Sequence, residues 1–420
     1  MDLKNSVFAA INKKEITFDL NSHLIKNSIF ILFSSFSNAA FGFMFWIIAA
    51  RSYTNEAIGI ASAFISLVSL LVLISRFGFD QSLIKYFQER NKCDIFYTSL
   101  IVTAVSAFIF SAIWYLNLLR LSPDLVIIME IPFVFFLVVM INSILSITGI
   151  SFVALRKSRL FFFQNVFGGS RLIFLIPLTG LGTIGILVSY ALSCILSLMF
   201  ALVMLIKMGF GKPAFSVKFL KSSLEFSSGS YLISLLMTAP NFILPILVLN
   251  ILGATTAAVF FITYTIASLL FMIPNSISTS LFVEGSHGES IKECTYRSVR
   301  LLCVLLLPAV IILFVLADIA LGFFGEDYIN GVHLLRLLLT STIFISVVYV
   351  ALSVKRIKND TQFILIFSGI LLISLLAASY LGMLSFGLIG IGYAWLFVYG
   401  LGGIFILLDL KFRTFRRARG

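Results

Sequence analysis

The sequence predicts an all-α integral membrane protein, with about twelve transmembrane helices in two six-helix bundles. Three observations predict it: an apolar composition, twelve long apolar stretches, and basic residues confined to alternate connections. Of 420 residues, 60% are apolar and 11% charged, and the mean hydropathy is +1.10. A water-soluble chain of this length needs more charge to cover its surface. The 45 phenylalanines suit a lipid-facing surface far better than an aqueous one.

The first six apolar stretches fall at about 24–50, 57–80, 95–117, 126–150, 159–179 and 183–206. The second six fall at about 224–251, 255–283, 299–321, 333–353, 361–381 and 386–409. Each reaches the roughly 20 residues that a helix needs to cross a bilayer. Two joints are subtle: Thr179–Thr183 and Gly382–Gly387 are short Gly-rich breaks, read here as tight reversals between neighbouring helices.

Lysine and arginine set the orientation. With the N-terminus inside, all but five of the 30 basic residues fall on inside segments. The exceptions are Arg51, Arg120 and Arg336 on the outside, and Arg76 and Arg171 within spans. The formal charge of +12 is therefore a topological signal and not a nucleic-acid-binding patch. The polar first 23 residues lack the apolar core of a signal peptide, so the first span is expected to direct insertion. Cys93, Cys194, Cys294 and Cys303 form neither an external disulfide pattern nor a metal-site spacing. His23, His287 and His333 lack carboxylate or Cys neighbours at ligand spacing, so neither a metal site nor a catalytic group is expected.

The chain also reads as a weak internal repeat. A shift of 199 residues places Ala40 on Ala239, Phe43 on Phe242 and Ser69-Leu70-Leu71 on Ser268-Leu269-Leu270. Gly182-x-x-Gly185 opens span six and Gly387-x-x-Gly390 opens span twelve. Six spans is an even number, so the halves would be related by a pseudo-two-fold axis along the membrane normal. The expected organisation is a cytoplasmic N-terminal segment, 1–23, and a first bundle, 24–206. An amphipathic inner-surface linker, 207–223, a second bundle, 224–409, and a basic tail, 410–420, follow.

The stretch IKNSIFILFSSFSNAAFGFMFWIIAARSYTNEAIGIASAF resembles the N-terminal signature of the polysaccharide-export (O-antigen, Wzx-type) flippases. There a helix opening on Asn-Ser ends in Ala-Arg, and a short turn leads to a Gly heading the next helix. SRFGFDQSLIKYF resembles the family's end of helix two, and FFGEDYINGVHLLRLLL its link from helix nine to ten. The family belongs to the multidrug/oligosaccharidyl-lipid/polysaccharide (MOP) exporter superfamily, which also holds multidrug (MATE) exporters and the flippase of the cell-wall precursor lipid. The resemblance implies a V-shaped, alternating-access cavity in the bacterial inner membrane. The implied cargo is an undecaprenyl-diphosphate-linked oligosaccharide moved from inner to outer leaflet, with a glycan polymerase and chain-length regulator as partners. No resident cofactor is implied, and coupling to H+ or Na+ is left open.

Arg171 lies near the middle of span five, where a charge costs about 2.5–3.5 kcal/mol on insertion scales. It reads as a cavity cation for a diphosphate or acidic sugar, or as an arginine bonded to a neighbouring helix's carbonyls. Arg76 reads as a cation for the lipid diphosphate or as a snorkelling partner of Asp80 at i, i+4. Arg51 reads as a third cavity cation or as an interfacial anchor beside Tyr53 and Glu56. In the repeat, Arg51 and Arg76 fall on Asn250 and Asn275. Asn241 and Asn275 are further cavity candidates, and Asn241 would suit sugar hydroxyls. Pro240, Pro245 and Pro274 are hinge candidates or static kinks. Asp318 is a coupling-ion candidate or a solvated acid, and Glu225 is expected to pair with Lys221.

Two other classes make distinguishable demands. An organic-cation antiporter needs acids deep in its spans, where this chain has bases. A membrane enzyme of polysaccharide assembly needs an acid–His cluster or a larger outer loop, and neither is evident.

Overall fold

The computed structural model describes residues 23–87, 91–210, 215–286 and 289–417. Among these residues it is entirely helical. In chain order the long helices are α1 (His23–Ser52), α2 (Asn55–Ser75), α3 (Lys92–Leu116) and α4 (Pro132–Ala154). A broken α5 follows (Ser158–Gly168, then Arg171–Leu175), then α6 (Thr183–Lys207), α7 (Val217–Leu252) and α8 (Ala254–Ser286). The last four are α9 (Ile291–Val315), α10 (Val332–Ile357), α11 (Thr361–Phe386) and α12 (Ile389–Arg417). Eleven helices among the described residues are long and apolar enough to cross a membrane.

The expected fifth span is the exception, and its residues explain why. Around Gly168-Gly169-Ser170 the backbone tightens to i→i+3 bonds, Ser170 N–H to the Phe167 carbonyl at 3.1 Å and Ile173 N–H to that of Ser170 at 2.9 Å. Pro177 then disfavours helix at the residue before it. The segment still runs the full height of the bundle, because the Tyr53 hydroxyl, just past the end of α1, donates to the Leu175 carbonyl at 2.6 Å.

Other boundaries differ for equally local reasons. α2 ends five residues early, where Phe77 and Gly78 adopt φ of 44° and 78°. The predicted 126–150 span is the short helix Ile127–Glu130 followed by α4 from Pro132, a residue suited to a first helical turn. Residues 217–223, expected in a surface linker, form the first turns of α7, where the Ser216 hydroxyl accepts from the Phe219 N–H at 3.2 Å. Of that linker, 211–214 lie outside the described residues, as do 1–22 of the N-terminal segment and 418–420 of the tail.

Packing repeats between the halves. In the first, α4 holds α2, α3 and α6, while α5 joins α1 to α6. In the second, α10 holds α8, α9 and α12, while α11 joins α7 to α12. The two Gly-x-x-Gly turns repeat as well: Gly182 has φ 55° and ψ −134°, and Gly387 has φ 60° and ψ −141°. Both lie where a Cβ is strongly disfavoured.

One end of the molecule carries the basic connections and is called the basic end. At the opposite, far end the bundles are latched together on both sides. Arg51 Nε donates to the Phe323 carbonyl at 3.0 Å, and Asn250 Nδ2 to the Leu121 carbonyl at 3.0 Å. Asn55 Nδ2 meets Asp327 Oδ2 at 2.7 Å, and a Cβ on Gly59 would lie only 1.8 Å from the Ala254 carbonyl oxygen. Toward the basic end, the lower half of α7 crosses onto the end of α2. Tyr231 donates to the Ile74 carbonyl at 2.6 Å, Ser223 donates to the Ser82 hydroxyl at 2.6 Å, and Lys85 Nζ sits 3.6 Å from the Phe226 ring centroid.

Candidate functional site

The basic-end half of the first bundle holds a cavity of about 650 Å³ between α1, α2, α4, α5 and α6, with Phe242 of α7 also on its wall. Arg76 and Arg171 both line it, and no carboxylate does among the described residues. Arg171 is placed by the α5 break, which turns the chain at mid-height and starts the second helical piece on that residue. Its guanidinium carbon stands 5.1 Å from the Phe45 ring centroid, a cation–π contact that leaves the N–H groups free. Gly42 on α1 makes room for it, since a Cβ there would lie 3.3 Å from an Arg171 terminal nitrogen.

Arg76 is placed by the end of α2, nearer the basic end. The expected pair with Asp80 does not form within 4.0 Å. An i, i+4 pair needs continuous helix between its members, and the Phe77-Gly78 turn interrupts it. Glu225 and Lys221 also do not pair; both side chains are exposed on the first turns of α7, where water serves each equally well.

In both arginines the Nε atom is buried and has no hydrogen-bond partner among the described residues. Buried donors are almost always satisfied, so two orphaned N–H groups on one cavity call for an acceptor within it. Guanidinium groups present planar donor pairs that match phosphate and carboxylate oxygens. The remaining walls are uncharged, with apolar side chains such as Val68, Leu145 and Phe161 interspersed with polar ones. Tyr190 donates to Asn142 Oδ1 at 3.0 Å, and Asn142 Nδ2 donates to the Val138 carbonyl at 2.8 Å and toward Cys194 Sγ at 3.5 Å. Gln164 Nε2 donates to the Leu145 carbonyl at 3.0 Å, and Asn165 Nδ2 to the Ser34 hydroxyl at 2.6 Å.

Asn241 and Asn275 face a second cavity, of about 480 Å³, in the basic-end half of the second bundle. The Tyr264 hydroxyl donates to Asn241 Oδ1 at 2.6 Å, while Arg356 stands 4.5 Å from the Phe282 ring centroid at the rim. Pro240, Pro245 and Pro274 lie inside unbroken helices and are buried. Arg51 lines neither cavity; it belongs to the far-end latch.

Several polar residues were not singled out from sequence. Asn142, Gln164 and Tyr190 sit inside apolar spans, and polarity at such positions is the signal that marks them. Asp318 is neither free nor simply solvated: Arg336 NH2 meets it at 2.9 Å. Lys355, counted as a basic loop residue, is buried and bridges Asp409 and Asp360, the latter at 3.4 Å, with its Nζ 3.9 Å from the Phe363 ring centroid.

No protein-family model matches the chain, and no curated protein matches it. Solved structures do. An inward-facing multidrug resistance MATE transporter of the MOP superfamily superposes with a TM-score of 0.68 at 15% identity, covering 89% of this chain and 94% of that one. The lipid II flippase MurJ, in an inward closed conformation, gives 0.67 at 16% identity, over 91% and 87%. An outward-facing MATE transporter of the same superfamily gives 0.62 at 12% identity, over 93% and 95%. The fold is thus that of the MATE and MurJ transporters, which fits the two repeated six-helix bundles.

Proposed function

We propose that the protein is a flippase for an anionic lipid-linked glycan. It would translocate undecaprenyl-diphosphate-linked oligosaccharide repeat units from the inner to the outer leaflet of the bacterial inner membrane by alternating access. The observation that carries this reading is the pair of unpartnered guanidinium groups, Arg76 and Arg171, on one cavity without a carboxylate. A diphosphate offers several strong acceptors and the opposite charge, and the amide and hydroxyl walls of both cavities suit sugar hydroxyls. The basic end would face the cytoplasm, with both termini there. A glycan polymerase and a chain-length regulator would receive the cargo outside.

A second reading, export of organic cations, rests on the likeness in fold to a multidrug transporter. Its electrostatics are reversed. A cation entering the Arg171 cavity would meet two fixed positive charges and no acid, at an interaction strength that low local polarity magnifies.

The deciding experiment is a leaflet-specific assay in proteoliposomes carrying the lipid-linked sugar of the source cell, with a cationic dye as the parallel substrate. Translocation of the glycolipid by the wild type and its loss in Arg171→Ala support the flippase. Movement of the dye without the glycolipid overturns it.

A further inference from the structure

A third concavity lies on the flank of the second bundle, on a different face of α10 from the Asn241 cavity. It is a groove of about 300 Å³ between α9, α10 and α12, lined almost wholly by apolar side chains such as Leu302, Leu306, Val350 and Leu407. Thr295, Val299, Val354 and Leu410 also line a wider mouth at the basic end, so groove and mouth are continuous. From Thr295 to Leu306 the groove runs eleven residues along α9, roughly 17 Å at the helical rise. That is close to the ~15 Å depth of one leaflet's hydrocarbon.

The mouth is charged in a definite sense. Lys292 and Lys358 line it, and neither forms an ion pair among the described residues. The charge of Arg297 is already met by Glu289 at 3.3 Å and by Glu293, the one carboxylate lining the mouth among the described residues, at 4.0 Å. A chain-length apolar slot below two spare ammonium groups matches an amphiphile with a negative head and a hydrocarbon tail. Basic pockets between helices at the cytoplasmic surface are where anionic lipid headgroups are held.

We propose that this groove is a binding site for an anionic glycerophospholipid of the leaflet at the basic end. One acyl chain lies along Thr295–Leu306 and the headgroup phosphate meets Lys292 and Lys358. The site shares no lining residue with either central cavity, so it is independent of the cargo site.

Native mass spectrometry of the full chain in detergent tests it, with phosphatidylglycerol and phosphatidylcholine of identical acyl chains as probes. The wild type is expected to retain one phosphatidylglycerol in preference to phosphatidylcholine by roughly 25-fold, given about one factor of five for each of the two lysines. The double variant Lys292→Ala/Lys358→Ala, changed only at the mouth, is expected to lose the preference. Cys303→Trp, which fills the groove from a position already exposed in it, is expected to lose both lipids while keeping both lysines. Equal retention of the two lipids by the wild type overturns the proposal. So does an undiminished preference in the double variant, or displacement of phosphatidylglycerol by equimolar undecaprenyl diphosphate, which would make the groove a cargo site.

Discussion

Arg51 and Asn250, 199 residues apart, each donate one 3.0 Å side-chain hydrogen bond to a carbonyl of the opposite bundle at the far end. Arg51 closes α1 onto Phe323, in the link between α9 and α10. Asn250 closes α7 onto Leu121, in the equivalent link between α3 and α4. For the far end to open, both bonds must break. Each is worth about 1 kcal/mol, so Arg51→Ala or Asn250→Ala should raise the far-end-open population about fivefold, and the double variant more. Spin-label distances between α1 and the α9–α10 link measure this. Unchanged distance distributions in the double variant would refute the latch.

Arg171→Ala should reduce glycolipid translocation by about 10- to 100-fold, the loss expected for a charge-assisted hydrogen bond. Arg171→Lys should recover part of it, since an ammonium keeps the charge without the planar donor pair. Gly42→Val tests the position of the guanidinium without touching it. The added side chain crowds a site where even a Cβ stands 3.3 Å from Arg171, so translocation should fall while folding survives.

Lys355 and Asp409 predict a stability effect distinct from transport. Lys355→Met should lower the thermal midpoint, by an amount equivalent to about 1–3 kcal/mol, because it removes a buried ammonium from two partly buried carboxylates. Lys355→Met/Asp409→Leu should recover part of the loss. Melting of the detergent-solubilised protein reads both, and a midpoint equal to wild type in the single variant would refute the prediction.

Gly182→Ala and Gly387→Ala should each cost about 1–3 kcal/mol, since both glycines hold a backbone conformation that other residues reach only under strain. Gly180→Ala is the internal control: its φ is ordinary and an added Cβ meets nothing within 4 Å, so its midpoint should not fall.

Hydropathy and charge placement carry the helix count and its parity because both are properties of whole segments. The α5 break escapes them, since Gly168, Gly169 and Ser170 are not polar enough to interrupt an apolar window, yet they permit the tightened turn that presents Arg171. Arg171 and Arg76 were each identifiable as costly intramembrane charges. That they share one cavity depends on how α2 packs against the helices around α5, which no local pattern encodes. The Arg76–Asp80 pairing failed because sequence spacing assumes an unbroken helix. The pairing of Asp318 with Arg336 and of Lys355 with Asp409 was invisible for another reason: those partners lie 18 and 54 residues away on other elements.

Two guanidinium groups on a cavity without a carboxylate have one more consequence. Arginine keeps its proton at any physiological pH, so the site is never electrically neutral by itself. On the proposed function, small anions from the adjoining water would occupy it between cargoes, and the diphosphate would enter by displacing them. A carrier of that kind would work as an anion exchanger in miniature. Its apparent affinity should weaken as chloride or phosphate is raised at constant pH, and part of its binding free energy should be the entropy of the ions set free.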